Sequence, residues 1–197
     1  MELNPATTAF IAMHFENDIV GADGPFAGFF RAEIEKHNVI ATATRLLSGA
    51  RKAGATVVYA RVAYSEGHAN LVTNIPLAGA VAEMQCLLEG TSGTEIISEL
   101  TPEASDWIST NAKVSAFAGC DLDDRLRAAG IDTVVLFGVA TNISVESSGR
   151  SAGDLGYRVV VVADACSAAA QEAHDATLAS FGLLGEVASS ADILAAL

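Results

Sequence analysis

The feature that most constrains the fold is a regular alternation of short apolar runs with helical patterns. The apolar runs are rich in β-branched residues and lack an apolar–polar alternation, which is typical of strands covered on both faces. Four such runs are predicted as strands, 8–13, 56–60, 133–137 and 158–163, and two weaker runs are 107–110 and 186–189.

Between these runs, apolar residues recur with helical spacing, and helices are predicted over 39–53, 121–129, 142–155, 171–181 and from 191 onward. Strands that alternate with helices require right-handed crossover connections. The sequence therefore predicts one α/β domain over 1–197. Its core is a doubly wound, mainly parallel six-stranded sheet with strand order 3-2-1-4-5-6 and helices on both faces. The irregular segment 63–106 is predicted to be a long excursion over the sheet edge.

Charge excludes several classes of partner. The chain has 24 acidic and 11 basic residues and a formal net charge of −13, so nothing offsets repulsion from nucleic-acid phosphate or from an anionic membrane. The first residues lack the positive flank and apolar run of a signal peptide, and the three cysteines form no CxxC pair. A soluble cytoplasmic protein is expected. The 51% hydrophobic share favours a homo-oligomer interface, although a well-packed monomer explains it nearly as well.

Motifs for cofactors and metals give no positive signal. Neither a GxGxxG nor a GxxxxGK[ST] sequence is present, and the four histidines do not have the close spacing of zinc ligands. No cofactor and no metal site are predicted, and the expected partner is a small-molecule substrate.

The predicted sheet indicates where that substrate binds. In open α/β sheets, ligands bind beyond the carboxyl ends of the strands, where the strand order reverses. For the order 3-2-1-4-5-6 this crevice lies between the first and fourth strands. Both strands are followed directly by polar segments, 14–18 and 138–144.

These segments carry a family resemblance. Gly138-Val-Ala-Thr-Asn-Ile-Ser-Val-Glu-Ser147 resembles the GVATNxCVES signature of the isochorismatase-like cysteine hydrolases, and 10–18 resembles their LLVIDMQND block. Further similarity lies in 114–122, 130–136, 154–159, Asp164-Ala165 and His174, in the family's order along nearly the whole chain. The resemblance implies the doubly wound fold, a hydrolase activity and often a cis peptide at Val139–Ala140.

The resemblance also implies that the catalytic residues are replaced. The family uses an Asp–Lys–Cys triad, and those positions fall on His14, Asn111 and Ser144, although a shift of register would place the lysine on Lys113. A serine needs a stronger base than a cysteine does, and an imidazole can be that base at neutral pH. His14 and Ser144 are therefore predicted to form a catalytic dyad.

Supporting roles follow from this dyad. Glu16 or Asp18 is predicted to orient the His14 ring, and Asn111 is predicted to stabilise a developing oxyanion together with backbone amides near residue 142. The substrate-contact candidates comprise two loop residues and residues of the matched blocks; with Glu16 and Asp18 they are Tyr64, His68, Phe117, Val139, Ala140, Thr141 and Ile143.

Two interpretations remain open at this stage. In one, the chain hydrolyses a small carbonyl, amide or enol-ether substrate, with Ser144 as nucleophile or, in an addition of water to a vinyl ether, with no nucleophile at all. In the other, loss of the triad makes the chain a catalytically inactive relative that binds a small molecule or assists an assembly.

Overall fold

The computed structural model describes all residues, 1–197, and its centre is one parallel sheet of six strands. The strands are β1 (Thr8–Met13), β2 (Thr56–Val62), β3 (Trp107–Asn111), β4 (Thr133–Val139), β5 (Arg158–Ser167) and β6 (Glu186–Ala188). Their order in the sheet is β3-β2-β1-β4-β5-β6, and every pairing is parallel. The predicted fold class and strand order are confirmed.

Seven α-helices lie between the strands: α1 (Asn17–Val20), α2 (Ala27–Lys36), α3 (Val39–Ala53), α4 (Pro76–Met84), α5 (Leu122–Ala128), α6 (Glu146–Asp154) and α7 (Gln171–Phe181). An eighth, α8 (Ser190–Ala195), follows β6. The sheet grows outward from β1 in one direction and from β4 in the other. Right-handed crossovers therefore place the connecting helices on opposite faces. None of these helices is long and apolar enough to cross a bilayer.

The core forms because both central strands are covered on both faces. Every residue of β1 and of β4 is buried. On the neighbouring helix α3, the buried positions repeat with helical spacing: Val39, Thr42, Ala43, Leu46, Leu47 and Ala50. Gly54 ends α3 in the left-handed region (φ +77°), and its N–H donates to the Ala50 carbonyl.

Three elements differ from the sequence prediction. Helix α2 lies in a segment for which no element is predicted, and α4 lies in the excursion 63–106, which is predicted to be irregular. The predicted helix from 142 instead begins as a π-helical turn, Thr141–Val145, and becomes α-helical only at Glu146. These three segments surround the carboxyl ends of β1 and β4.

Candidate active site

The carboxyl ends of β1 and β4 bring two distant chain segments together. Met13 is the last residue of β1 and pairs with Gly138 of β4. The strands approach so closely here that a Cβ on Gly138 would lie 2.1 Å from the Met13 carbonyl oxygen. Gly138 also has φ +130°, a conformation that side-chain-bearing residues rarely adopt. The next residues on each strand, His14 and Val139, consequently flank one crevice.

Ser144 reaches this crevice through the turn that follows β4. The Val139–Ala140 peptide is cis, as the family resemblance implies. The Ala140 carbonyl then accepts the N–H groups of both Ile143 and Val145, at 3.1 and 3.2 Å. This tight turn places Ser144 in a largely buried position, only 7% exposed.

His14 and Ser144 line the same cavity. The cavity has an empty volume of about 550 Å³ including its open mouth, and twelve of its fifteen lining residues are hydrophobic. The full lining is His14, Ile19, Phe26, Phe30, Val62, Tyr64, Leu77, Val81, Leu87, Lys113, Val114, Val139, Ala140, Ile143 and Ser144. An imidazole and an alcohol that are 130 positions apart thus share one apolar, solvent-reachable space.

Glu16 is the acidic partner of His14. Its Oε1 lies 3.4 Å from the His14 Nδ1 atom and also accepts the Val62 N–H at 2.6 Å, while its Oε2 has no hydrogen-bond partner. Asp18, the other acidic candidate, instead accepts the Leu87 N–H at 2.7 Å. Glu16 is completely buried, so its carboxylate can hold the imidazole ring in place without itself lining the cavity.

Asn111 does not line the cavity, and its predicted oxyanion role stays a prediction. The Asn111 amide is buried and donates to the carbonyls of Ser115 and Ala118, so its donors are already used within the chain. Lys113 lines the cavity instead. Asn111 Oδ1 accepts the Lys113 N–H at 3.5 Å, so Asn111 helps to shape the loop that carries Lys113.

The predicted substrate contacts divide into two groups. Tyr64, Val139, Ala140 and Ile143 line the cavity. The other predicted contacts do not line it, and Glu16 and Asp18 are bonded as described above. The His68 Nε2 atom bonds the Cys86 carbonyl at 2.8 Å, and the Thr141 hydroxyl bonds the His174 Nδ1 atom at 2.8 Å. The Phe117 ring packs against the Tyr157 ring. His68 and Thr141 are buried and Phe117 is partly buried, and a substrate-binding role for these three residues stays a prediction.

Sequence reasoning missed the apolar wall of the cavity. Helix α1 contributes Ile19, α2 and its N-cap residue contribute Phe30 and Phe26, and α4 contributes Leu77 and Val81. The phenylalanines at 26, 29 and 30 pack on one another with ring centroids about 6 Å apart. The clustering of these three phenylalanines in an otherwise polar segment was the one sequence feature that could have indicated this wall.

None of the cysteines lines the cavity. Burial raises the pKa of the Cys86 thiol to about 11 and that of the Cys166 thiol to about 12. Because the thiolate is the nucleophilic form, neither side chain is suited to catalysis at neutral pH.

A thiol-labelling experiment tests this conclusion. In the folded protein at neutral pH, we expect a disulfide reagent such as DTNB to react slowly with Cys86 and Cys166, and Cys120 to be the first site labelled because it is partly exposed. Mass spectrometry of the labelled protein identifies the sites, and all three cysteines should react once guanidinium unfolds the chain. Rapid labelling of Cys166 in the folded protein would contradict the burial described above.

The comparisons with known proteins identify the family of the chain. The isochorismatase domain model matches residues 8–192. The isochorismatase family protein YwoC of Bacillus subtilis is 34% identical over 173 residues, which are 87% of this chain and 83% of YwoC. Ureidoacrylate amidohydrolase RutB of Methylobacterium radiotolerans is 32% identical, with 95% of this chain and 79% of RutB covered.

A solved structure gives the same result. The N-carbamoylsarcosine amidase of Thermoplasma acidophilum superposes with a TM-score of 0.74 at 27% identity, covering 93% of this chain and 96% of the amidase. The domain match spans nearly the whole sequence and includes both segments that build the crevice. The chain therefore belongs to the isochorismatase family.

Proposed function

We propose that this protein hydrolyses small amides with Ser144 as the nucleophile and His14 as the general base. The observation that carries the proposal is that His14 and Ser144 line one apolar cavity, with the fully buried Glu16 carboxylate 3.4 Å from the His14 Nδ1 atom. Similarity to the amidohydrolase RutB and to N-carbamoylsarcosine amidase favours an amide as the bond that is cleaved.

The proposed steps use only side chains of the chain and water. His14 takes the proton of the Ser144 hydroxyl as the oxygen attacks the substrate carbonyl carbon, and then gives that proton to the departing amine. The resulting ester on Ser144 is cleaved by a water molecule, whose proton again passes to His14 and back to the Ser144 oxygen. Glu16 is a positioning residue, because it holds the ring and stabilises the imidazolium that forms in each step.

The first test is a turnover screen. We expect the unmodified protein to release ammonia or an amine from members of a panel of small primary amides and N-carbamoyl compounds, as measured by a coupled ammonia assay or by mass spectrometry. Binding of such compounds without any turnover would favour the catalytically inactive relative that the replaced triad also allows.

A Ser144→Cys variant tests the assignment of the nucleophile. Because an imidazole activates a thiol more readily than an alcohol, the variant is expected to keep measurable turnover and to become sensitive to iodoacetamide. The unmodified protein should stay active after the same treatment, since its own cysteines lie outside the cavity. Inactivation of both proteins at equal rates would show that one of the native cysteines is the reacting group.

A further inference from the structure

Helix α7 is bonded to the chain on both sides of Ser144. His174 and Thr177 lie three residues apart on this helix and therefore on one of its faces. The His174 Nδ1 atom bonds the Thr141 hydroxyl at 2.8 Å, and the Thr177 hydroxyl donates to Glu146 Oε2 at 3.1 Å. Thr141 is the first residue of the π-helical turn and Glu146 directly follows that turn, so the two bonds flank the residue proposed as the nucleophile.

The two bonds differ in how easily they could be replaced. The Glu146 carboxylate also accepts from the Arg150 guanidinium at 2.8 Å within α6, so it keeps a partner if its bond to Thr177 is lost. Thr141 is completely buried, and its bond to His174 is the one side-chain hydrogen bond of the turn. A buried hydroxyl without its partner can reach water only if the turn opens, because leaving it unpaired is unfavourable.

The His174 ring also borders a second, smaller cavity. This cavity has an empty volume of about 170 Å³ and shares no lining residue with the cavity of the dyad. Its titratable residues come from the end of α2, the end of β5 and α7: Glu33, His37, Cys166 and His174. Burial lowers the pKa of His174. The neighbouring Asp175 and Glu33 oppose this shift in the pKa, and His37 adds to it. The ring is therefore neutral at neutral pH, and its Nδ1 atom can accept the Thr141 proton.

Neither Thr141 nor His174 lines the cavity that contains Ser144, so any effect that they have on the reaction must act through the turn. We infer that His174 is a positioning residue, which binds the Thr141 hydroxyl and thereby holds the turn in the conformation that presents Ser144. The inference rests on the proposed function, because it concerns the presentation of the same nucleophile.

Amide hydrogen exchange, followed by NMR, tests the holding of the turn without any substrate. The reporters are the N–H groups of Ile143 and Val145, which close the turn on the Ala140 carbonyl. In His174→Leu, which removes the acceptor, we expect both amides to exchange at least about tenfold faster than in the unmodified protein, because the turn opens more often. The amides of β4 should keep their exchange rates, which distinguishes a local opening from a general loss of stability.

Three further variants assign this effect to the hydrogen bond. His174→Asn keeps an oxygen acceptor near the position of Nδ1 and should restore most of the protection. Thr141→Val removes the hydroxyl with little change in shape and should match His174→Leu, and combining these two changes should add little, because both remove the same bond. His37→Leu is the matched control and should change nothing, because His37 borders the same small cavity but bonds Glu33 instead of the turn.

Kinetics with an amide that the protein hydrolyses test the consequence for catalysis. In His174→Leu we expect kcat to fall at least about tenfold, because a nucleophile that is misplaced by a fraction of an ångström reacts much more slowly. KM should change less than about twofold, since the lining of the substrate cavity is intact. His174→Asn should recover most of the lost kcat, and His37→Leu should keep the kcat of the unmodified protein.

These outcomes are separable from that of the proposed function. If the turn amides of His174→Leu exchange faster while the unmodified protein hydrolyses no amide, His174 still holds the turn and the hydrolase proposal fails. Unchanged exchange in both His174→Leu and Thr141→Val, an unchanged kcat in an active protein, or a loss that His174→Asn does not reduce would each overturn the inference and leave the hydrolase proposal standing.

Discussion

Replacing Ser144 by alanine is expected to lower kcat/KM for any amide that the protein hydrolyses by at least about a thousandfold. The variant loses the oxygen that attacks the carbonyl, and no cysteine or second hydroxyl lines the cavity to replace it apart from the Tyr64 phenol. Burial raises the pKa of the Tyr64 hydroxyl, so that phenol is a poor substitute at neutral pH. Steady-state kinetics of the purified variant measure the loss.

His14→Ala is expected to have an effect of similar size, and the double variant should be little worse than either single one, because the two groups act as one unit. Ser147→Ala is the matched control. This serine lies one turn further along, in α6, and does not line the cavity. Unchanged kcat/KM in Ser144→Ala, with the fold intact by circular dichroism, would remove Ser144 as the nucleophile.

The second large effect concerns stability. Gly138→Ala should lower the free energy of unfolding by at least about 3 kcal/mol, through a steric term and a conformational term that add. The new Cβ would lie 2.1 Å from the backbone oxygen of Met13, which cannot move without disturbing the β1–β4 pairing, and the residue has φ +130°. Urea unfolding followed by circular dichroism measures the change.

Gly153→Ala serves as the control for this substitution. Gly153 lies in the helix α6 with no atom within 4 Å of the new Cβ, so alanine is expected to stabilise the chain by about 0.5–1 kcal/mol through helix propensity. If Gly138→Ala unfolded at the same urea concentration as the unmodified protein, the two strands could not approach as closely as described.

The sheet could be predicted from the sequence because its strands carry their own signal. The run 134–137 is apolar and buried at every position, so local pattern and tertiary environment agree. Helix α2 carried no such signal. Phe26 and Phe30 line the cavity, and the glycines at 21, 24 and 28 around them are typical of a loop.

The site could be predicted only in part, for a similar reason. The position of His14 beside the end of β4 follows directly from the paired strands, because Met13 pairs with Gly138. Ser144 comes six residues after Gly138, and the π-helical turn Thr141–Val145 brings it to the crevice. The choice between Asn111 and Lys113 depends on a loop. The chain leaves β3 at Asn111 and turns, and only the hydrogen bonds from the Asn111 amide to Ser115 and Ala118 determine which side chain borders the cavity.

The short segment after β1 has a consequence for engineering this site. It carries His14 and Glu16, and it also fastens the excursion 63–106. Phe15 accepts the Ile97 N–H, Asn17 bonds the carbonyls of Ser92 and Glu95, and Asp18 bonds the Leu87 N–H. Substrate selectivity could be transferred from a relative by exchanging the excursion 63–106. Residues 15–18 would then have to be exchanged together with that excursion. Otherwise the exchanged excursion loses its hydrogen bonds to residues 15–18, and His14 loses the contact with Glu16 that orients its ring.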